Sequence, residues 1–339
     1  MIKEADKKLL NSIGVDVYDE DRNYWFIRTQ GGLHYNEFYN NDFVGIEWDE
    51  ISDLKFIQNT DESILKQKVE EVYNDVQKPG YIVGQIKKFM DIKVGDIVLI
   101  PSEGSEYLAI GEVIGDVYIY EEDNFTQWLK DDQEKSIIKK RCNVKWLKEF
   151  KRSDWDPYLT RIIYSNSAIV DANKYDLYID RMLSQFYIKG NDAYFTYKVN
   201  KKENIPYTDM LSLLNNNNKL LLFFEENYPS LGLDLNEIIV KINVQSKGPV
   251  QFKGPMMKIL VGGMLISFFC GAKFNIEPLG VSIETEGIPG LINSVLTAIN
   301  QSSVSEKSDE LQEIISGINI DKEKLEIQLP NTIDEKDNN

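Results

Sequence analysis

The stretch IKVGDIVLIPSEGSEYLAIGEVIGDVYIY, from Ile92 to Tyr120, is the most strongly β-patterned part of the chain. Two apolar runs, Val94–Ile100 and Tyr107–Val113, flank a polar turn that contains Gly104. Apolar runs of this kind on both sides of a glycine-bearing turn predict two short strands joined as a hairpin. Gly111 lies inside the second run, where a missing Cβ indicates a bulge or a close approach by another group.

Patterned segments on both sides of the hairpin extend it into a domain of the α+β class. Apolar or alternating runs predict strands at Tyr24–Gln30, Phe43–Trp48, Asn143–Phe150 and Ala193–Val199. Apolar residues at helical spacing predict helices at Ala5–Ile13, Glu62–Val76, Ile82–Met90, Tyr158–Tyr164 and Tyr175–Tyr187. Short strands interleaved with helices favour a mixed, barrel-like sheet. We expect this domain to occupy residues 1–200.

The character of the sequence changes after Lys201. Residues 201–255 are expected to form a connector, in which the two Gly-Pro pairs of SKGPVQFKGP predict a chain break and a hinge. Residues 256–300 are expected to form a smaller α+β domain that contains an apolar helix, and residues 301–339 a polar tail. This smaller domain is predicted either to assemble with other copies of the chain or to associate with a membrane.

The apolar helix permits both of those interpretations. The chain is uncharged from Ile259 to Ala272, and a helix of that length spans about 21 Å, less than the roughly 30 Å of a hydrocarbon core. Flanking residues extend the apolar segment to 256–274. Gly263, Ser267 and Gly271 recur at a spacing that allows close helix packing, in lipid or in a tightly packed oligomer. The sequence leaves open a buried core or oligomer helix and a membrane-associated segment.

Net charge limits the nucleic-acid contacts that the chain can make. The 339 residues carry a formal charge of −17 and a pI near 4.7, which argues against a general polyanion-binding protein. One local exception is the run from Lys135 to Arg152, with eight basic residues and one acidic residue. This run is either a solvated strand face or a strip that contacts phosphates.

The sequence offers little support for catalysis. Cys142 and Cys270 lie far apart, so neither a disulfide framework nor a metal knuckle is indicated, and a reducing, cytoplasmic location is expected. The amino terminus has no apolar signal core. His34 is the only histidine, which excludes an HExxH zinc site, and no phosphate-loop or dinucleotide fingerprint is present. We expect no catalytic residue, no metal and no cofactor.

Short motifs in the first half of the chain resemble a known family. The segments VGQIKKFMDIKVGDIVLI, YLAIGEV and KRCNVKWL are similar to the EVE-type branch of the PUA-like domains. The opening YWFIRTQGGLHYNEFYNNDFVGIEW resembles the amino-terminal reader domains of some Mrr-like bacterial restriction proteins. The likeness covers about residues 22–200. It implies a PUA/EVE-like mixed β-barrel with a pocket for a nucleobase and a role in bacterial anti-phage defence.

This resemblance suggests a set of ligand-binding residues. A flipped or single-stranded base requires aromatic walls and a few polar groups that contact its edges. The expected pocket or rim residues are Trp25, Arg28, Trp48, Gln85, Ser102 and Trp146. Contacts to a nucleic-acid backbone are expected from Lys139, Lys140, Arg141 and Lys145. The alternative is that the strand tryptophans pack in the core and that Ser102 is an ordinary turn residue.

The sequence leaves three functional hypotheses. The first is a non-catalytic sensor that binds a modified nucleobase or a nucleotide-like ligand, and whose second domain assembles into a homo-oligomer or meets a membrane. The second is a membrane-active effector that the amino-terminal domain regulates. The third is a metal-dependent nuclease, for which Glu149-Phe150-Lys151 and Asp53-Leu54-Lys55 supply the acidic-x-Lys triplet. Because such triplets arise by chance in a charged chain, we expect a protein without enzymatic activity.

Overall fold

The computed structural model describes residues 2–73, 77–121, 138–242, 248–271, 287–304 and 307–330. The α-helices are α1 (Glu4–Ser12), α2 (Tyr35–Asn40), α3 (Leu54–Asn59), α4 (Glu62–Val72), α5 (Pro79–Met90), α6 (Asp176–Leu183), α7 (Tyr207–Asn227), α8 (Met256–Phe269), α9 (Ile288–Ser302) and α10 (Ser308–Leu325). The strands are β1 (Asp16–Tyr18), β2 (Tyr24–Ile27), β3 (Phe43–Ile46), β4 (Ile97–Pro101), β5 (Tyr107–Val113), β6 (Tyr118–Ile119), β7 (Lys140–Lys151), β8 (Ile169–Asp171), β9 (Phe186–Lys189), β10 (Asp192–Val199), β11 (Ile239–Ile242), β12 (Gly248–Pro255) and β13 (Ile327–Gln328). The fold is mixed α+β.

The chain divides into two compact units. Unit 1 consists of Met1–Glu20 and Ser184–Asn339, and unit 2 consists of Asp21–Leu183. The sequence predicted one domain over residues 1–200. In the structure, residues 1–20 and 184–200 of that range belong to unit 1. The reason is strand pairing: β10 is hydrogen-bonded to β12, and β1 is paired with β9, which places the amino-terminal segment and β10 in unit 1.

Unit 2 is built around the predicted hairpin. Its curled sheet has the order β3-β7-β5-β4-β2-β8, with β6 paired to β7. Strands β4 and β5 form the antiparallel hairpin, with Leu99 opposite Ile110, which confirms the prediction. Strands β2 and β4 are parallel, with Trp25 opposite Val98. Because the two strands run in the same direction, their carboxyl ends lie at the same edge of the sheet.

The glycine inside the second strand has the predicted role. The register of β5 against β7 shifts between Ile110 and Gly111. A Cβ at Gly111 would lie 2.3 Å from Cγ1 of Val144 and 2.8 Å from Cε3 of Trp146. Real Cβ atoms do not approach other atoms this closely. Position 111 therefore requires glycine, at the point where β5 bulges against β7.

Several predicted elements end at different residues from those expected. The first strand stops at Ile27, and Gln30 has a φ of 51°, so the chain already turns before the predicted end. The segment Pro157–Tyr164 is a 3-10 helix with Pro157 in its first turn. The predicted helix Tyr175–Tyr187 ends at Leu183, since the residues after it pair as β9. Val76, the predicted end of α4, lies outside the described residues.

Unit 1 has a sheet of order β1-β9-β10-β12-β11, with β13 paired to β10. Strand β12 corrects the predicted Gly-Pro hinge, because Gly248–Pro255 pairs with β10 along its full length. Pro249 lies opposite Lys198 and Pro255 opposite Asp192 at the two ends of this pairing, and prolines are tolerated best at strand ends. The predicted polar tail is also corrected. Helix α10 lies within it and buries Leu311, Ile318 and Leu325 in the core.

The apolar helix α8 lies inside unit 1. Every residue from Ile259 to Ser267 is buried, and the helix contacts β10, β12, α7 and α9. A Cβ at Gly263 would lie 2.6 Å from Cζ of Phe186 and 2.9 Å from Cδ2 of Phe195, so this glycine allows the helix to approach the sheet. No helix in the described part of the chain is both long enough and apolar enough to cross a membrane. Residues 272–274 of the predicted membrane segment lie outside the described residues.

Candidate functional site

Two of the predicted pocket residues lie in the interior of unit 2. Trp25 is 7% exposed and donates its indole N–H to Oδ2 of Asp96 at 2.8 Å. Gln85 is 4% exposed, and its Oε1 accepts from the backbone N–H of Ile169 at 2.8 Å. Both side chains belong to or adjoin the apolar cluster between the sheet and α5, and their polar atoms are bound within the fold. This correction leaves no role for Trp25 and Gln85 as the walls of an open slot.

The other two tryptophans of the predicted pocket, Trp48 and Trp146, are half-buried and pack against the apolar cluster of unit 2. Trp48 has a φ of 66°, and its ring meets Tyr81 edge-on with a centroid distance of 6.5 Å. Trp146 donates to the carbonyl of Phe38 at 3.3 Å and packs against the ring of Tyr39. The three predicted tryptophans therefore pack in or against one apolar cluster, and none of them belongs to the lining of the cleft described below.

The predicted phosphate strip is also altered by burial. Lys140 is 0% exposed, and its Nζ donates to the carbonyls of Trp48 at 2.5 Å and Ile51 at 3.1 Å. Burial lowers the pKa of Lys140. Arg141 is buried between two rings, 4.0 Å from the centroid of Phe43 and 3.8 Å from that of Tyr120. These two cations are structural.

Five cations of the basic run face solvent: Lys139, Lys145, Lys148, Lys151 and Arg152. Lys139 and Lys145 are exposed, whereas the two residues between Lys139 and Cys142 are buried. The strip was predicted from charge in the sequence, which does not distinguish the two faces of a strand. Residues 135–137 of the basic run lie outside the described residues.

A cleft lies at the edge of the sheet where the parallel strands β2 and β4 end. Its volume is about 310 Å³, at the small end of the roughly 300–1,000 Å³ typical of small-molecule sites. It is lined by the ends of the two strands, by the loops that follow them, and by parts of the chain after β7. The lining residues are Phe26, Arg28, Thr29, Gly31, Gly32, Pro101, Ser102, Gly104, Ser105, Arg152, Ile163 and Tyr164.

Two glycine-bearing loops shape this cleft. We call residues 28–34 the first cleft loop and residues 101–106 the second cleft loop. Gly31 and Gly104 have φ values of 69° and 59°, in the left-handed region that favours glycine. A Cβ at Gly32 would lie 2.3 Å from the Cα of Glu103, so the loops touch at this point. The hydroxyl of Thr29 donates to the carbonyl of Pro101 at 2.6 Å and fixes the first loop on the end of β4.

Two arginines supply the charge of the cleft. Arg28 donates from Nη2 to the carbonyl of Ile163 at 2.6 Å, and its buried Nε has no hydrogen-bond partner among the described residues. Arg152 donates from Nη1 to the carbonyl of Gly104 at 3.2 Å. Neither guanidinium forms an ion pair with a carboxylate of the described chain, and no acidic residue belongs to the lining as far as the structure describes it. The cleft is therefore a positive site in a strongly negative chain.

Sequence reasoning found part of this cleft. Arg28 and Ser102 line it as predicted ligand-binding residues, although the Ser102 hydroxyl also accepts from the N–H of Tyr107 at 2.8 Å and so has the alternative role of a turn residue. Arg152 and Tyr164 were missed. Arg152 ends the basic run, and Tyr164 is 74% exposed at the end of its 3-10 helix. The feature that identifies the cleft is the contact between two glycine-bearing loops that follow parallel strands, and this contact is visible only in the structure.

The predicted nuclease triplets do not lie in a shared acidic site. Asp53 precedes α3 and accepts from the N–H of Phe56 at 2.9 Å, so its triplet begins a helix. Glu149 lies on β7 and accepts a hydrogen bond from the hydroxyl of Tyr35. Among the residues that the structure describes, no group of three or more His, Cys, Asp and Glu side chains is placed to hold a metal ion. His34 is buried, with Nδ1 3.0 Å from Oε2 of Glu37.

Comparison with known proteins gives one match. A family model described as a domain of unknown function, DUF8426, matches residues 26–169. This region covers less than half of the chain and lies within unit 2, where it includes the hairpin and both cleft loops. No curated protein and no solved structure matches the chain.

Proposed function

We propose that unit 2 is a non-catalytic sensor module that binds a nucleotide-like ligand in the cleft between the two cleft loops. The observation that carries the proposal is the pair of cleft arginines, Arg28 and Arg152, without a carboxylate partner in the described chain. A guanidinium presents a planar fork of donors that suits anionic groups, and its face stacks on aromatic rings such as bases. An anionic ligand that carries a base uses both properties.

The walls of the cleft suit such a ligand. Tyr164 offers an exposed ring at the cleft, and stacking on an aromatic ring is tolerant of base identity. Ser102 and the loop backbone offer polar groups to the edges of a base. This proposal keeps the ligand class implied by the resemblance to EVE-type readers, with anti-phage defence as its biological setting, and moves the site from the interior tryptophans to the strand ends.

A binding titration of the full-length chain tests the proposal. The panel contains nucleosides, nucleoside monophosphates, and single- and double-stranded oligonucleotides with unmodified and modified bases. A ligand that binds only the native state raises the free energy of unfolding, by about 2.7 kcal/mol at a ligand concentration one hundred times Kd. The melting temperature rises as a result. We expect at least one base-bearing member to stabilise the protein. A panel in which no member does so would refute the proposal.

Two variants connect the binding to the cleft. Arg152→Gln removes an exposed cleft guanidinium and is expected to weaken binding strongly, because a charged hydrogen bond is lost. Lys66→Gln is the matched control, since it removes one positive charge from the exposed surface of α4, which does not line the cleft. If both variants lose affinity equally, general electrostatic attraction and not the cleft explains binding.

A further inference from the structure

We propose that the cleft recognises a phosphate monoester, so that it takes a mononucleotide or a phosphorylated strand end and not the interior of a strand. This inference rests on the proposed function, because it specifies the anionic group of the same nucleotide-like ligand. It goes beyond the resemblance, which implies only a pocket for a base. Three features of the described residues support it: the two cleft arginines without a carboxylate partner, the size of the cleft, and the burial of Lys140 and Arg141.

The charge of the cleft matches a dianion better than a monoanion. Arg28 and Arg152 both line it, and neither is neutralised by a carboxylate of the described chain. A phosphate monoester carries a charge of about −1.5 to −2 at pH 7, with a second pKa near 6. An internal phosphodiester carries a single charge, which leaves one guanidinium uncompensated. Each arginine already uses one N–H on a backbone carbonyl and keeps the others for a ligand.

The size of the cleft and the surface around it disfavour a continuous strand. A volume of about 310 Å³ holds a ligand of mononucleotide size. A bound strand continues on both sides of each phosphodiester and needs further cations along its path. Of the four backbone contacts expected from the sequence, Lys140 and Arg141 are buried, and the exposed Lys139 and Lys145 do not belong to the lining of the cleft.

Calorimetric titration of the full-length protein with matched ligands tests this inference. For each common base the ligands are the nucleoside, its 5′-monophosphate, the methyl ester of that monophosphate, and a dinucleotide with and without a 5′-phosphate; inorganic phosphate is also titrated. We expect the monophosphate to bind at least about tenfold more tightly than its methyl ester at pH 7.5. The dinucleotide with a 5′-phosphate distinguishes a strand end from a free nucleotide. If it binds as tightly as the monophosphate, the cleft accepts a phosphorylated strand end.

The pH dependence provides a second readout. The second proton of the monoester binds near pH 6, whereas the methyl ester does not titrate in this range. The preference for the monophosphate is therefore expected to shrink from pH 7.5 to pH 5.5. The charged groups that face the cleft or lie on its loops are Arg28, Arg152, Glu103, Glu106 and His34, and the Tyr164 phenol also faces it. These groups act on both ligands, so the ratio of the two affinities isolates the phosphate.

The outcomes separate the inference from the proposed function. Equal affinities for the monophosphate, its methyl ester and the nucleoside would overturn the inference and leave base binding in place. Inorganic phosphate that binds as tightly as every nucleotide would support phosphate recognition and overturn base recognition. No binding in any arm would overturn both. Arg152→Gln is expected to abolish the preference for the monophosphate, and Lys66→Gln is expected to retain it; a preference that survives Arg152→Gln would contradict the assignment.

Discussion

The two ends of strand β4 differ in how their polar groups are satisfied. At the first end, Asp96 is buried and accepts from Trp25 Nε1 at 2.8 Å, from the N–H of Asn23 at 2.9 Å and from the N–H of Lys93 at 3.0 Å. At the other end, the arginines of the cleft lack carboxylate partners in the described chain. Buried polar groups that are bound within the fold stabilise it. Charged groups left without a partner at a cleft are the better candidates for binding a ligand.

The largest effect is expected at the satisfied end. Asp96→Ala leaves the indole N–H of Trp25 and two backbone N–H groups without their acceptor, and should cost about 3–5 kcal/mol in the free energy of unfolding. Urea denaturation followed by tryptophan fluorescence measures the loss in unit 2, because all five tryptophans lie between residues 21 and 183. Asp96→Asn keeps one acceptor oxygen and should cost less. A loss below about 1 kcal/mol for the alanine variant would contradict a structural role.

A second effect tests whether the interior of unit 1 is equally filled. Gly263→Ala places a methyl group within 2.6 Å of Phe186 and should cost about 1–3 kcal/mol through overpacking. Gly262→Ala is the matched control on the same helix. Its Cβ would lie 3.5 Å from Leu221, an ordinary contact, so the variant should be neutral or gain up to about 1 kcal/mol from helix propensity.

Circular dichroism during thermal unfolding measures this pair of variants, because unit 1 has no tryptophan. Equal effects of the two alanines would show that α8 is not pressed against the sheet at Gly263. A larger loss of stability for Gly262→Ala than for Gly263→Ala would show that the tight contact lies on the Gly262 side of the helix.

Strong local patterns were sufficient to predict much of unit 2. Strands β4 and β5 were predicted because apolar runs and a glycine turn are encoded within one short segment, and the bulge at Gly111 followed from a single residue. The position of α5 followed from the spacing of Ile82, Ile86 and Phe89. Boundaries between the units were not predictable in this way, since they depend on pairing of β10 with the distant β12.

The candidate site was predicted only in part for a related reason. Residue type suggested Trp25 and Gln85, but burial against Asp96 and Ile169 depends on contacts between distant segments. The buried Lys140 looked like a phosphate contact because sequence shows its charge and not its two carbonyl acceptors. Arg28 was expected as a pocket or rim residue from the resemblance, and it lines a cleft whose location the sequence did not predict. Tertiary partners decide which polar groups remain available.

A third effect concerns the pH dependence of the filled interior. Burial raises the pKa of the Cys142 thiol to about 12, whereas an unfolded cysteine titrates near 8.5. Above about pH 8.5 the unfolded state loses this proton first, so the stability that is fully present below that pH is lost as pH rises toward 12. At pH 9.5 the loss should be about 1.4 kcal/mol relative to pH 7.5 from this thiol alone. The measurement is urea denaturation by tryptophan fluorescence at the two pH values.

Cys142→Ala supplies the control for this effect. The substitution removes the titrating group from a fully buried position, so its own cost is the same at both pH values. The difference in unfolding free energy between pH 7.5 and pH 9.5 should therefore shrink by about the same 1.4 kcal/mol. An unchanged difference would mean that the thiol reaches solvent in the native state and that this part of the interior is open.

The smallest effect is expected at the unsatisfied end of the β4 strand. Arg152 is exposed and makes one side-chain hydrogen bond, to the carbonyl of Gly104, which water replaces at little cost. In the absence of ligand, Arg152→Gln should change the unfolding free energy by less than about 0.5 kcal/mol. The same variant is expected to lose ligand affinity, so stability and binding separate at this residue, whereas Asp96→Ala acts mainly on stability. A stability loss for Arg152→Gln as large as that for Asp96→Ala would make the arginine a structural residue and remove the distinction on which the cleft was selected.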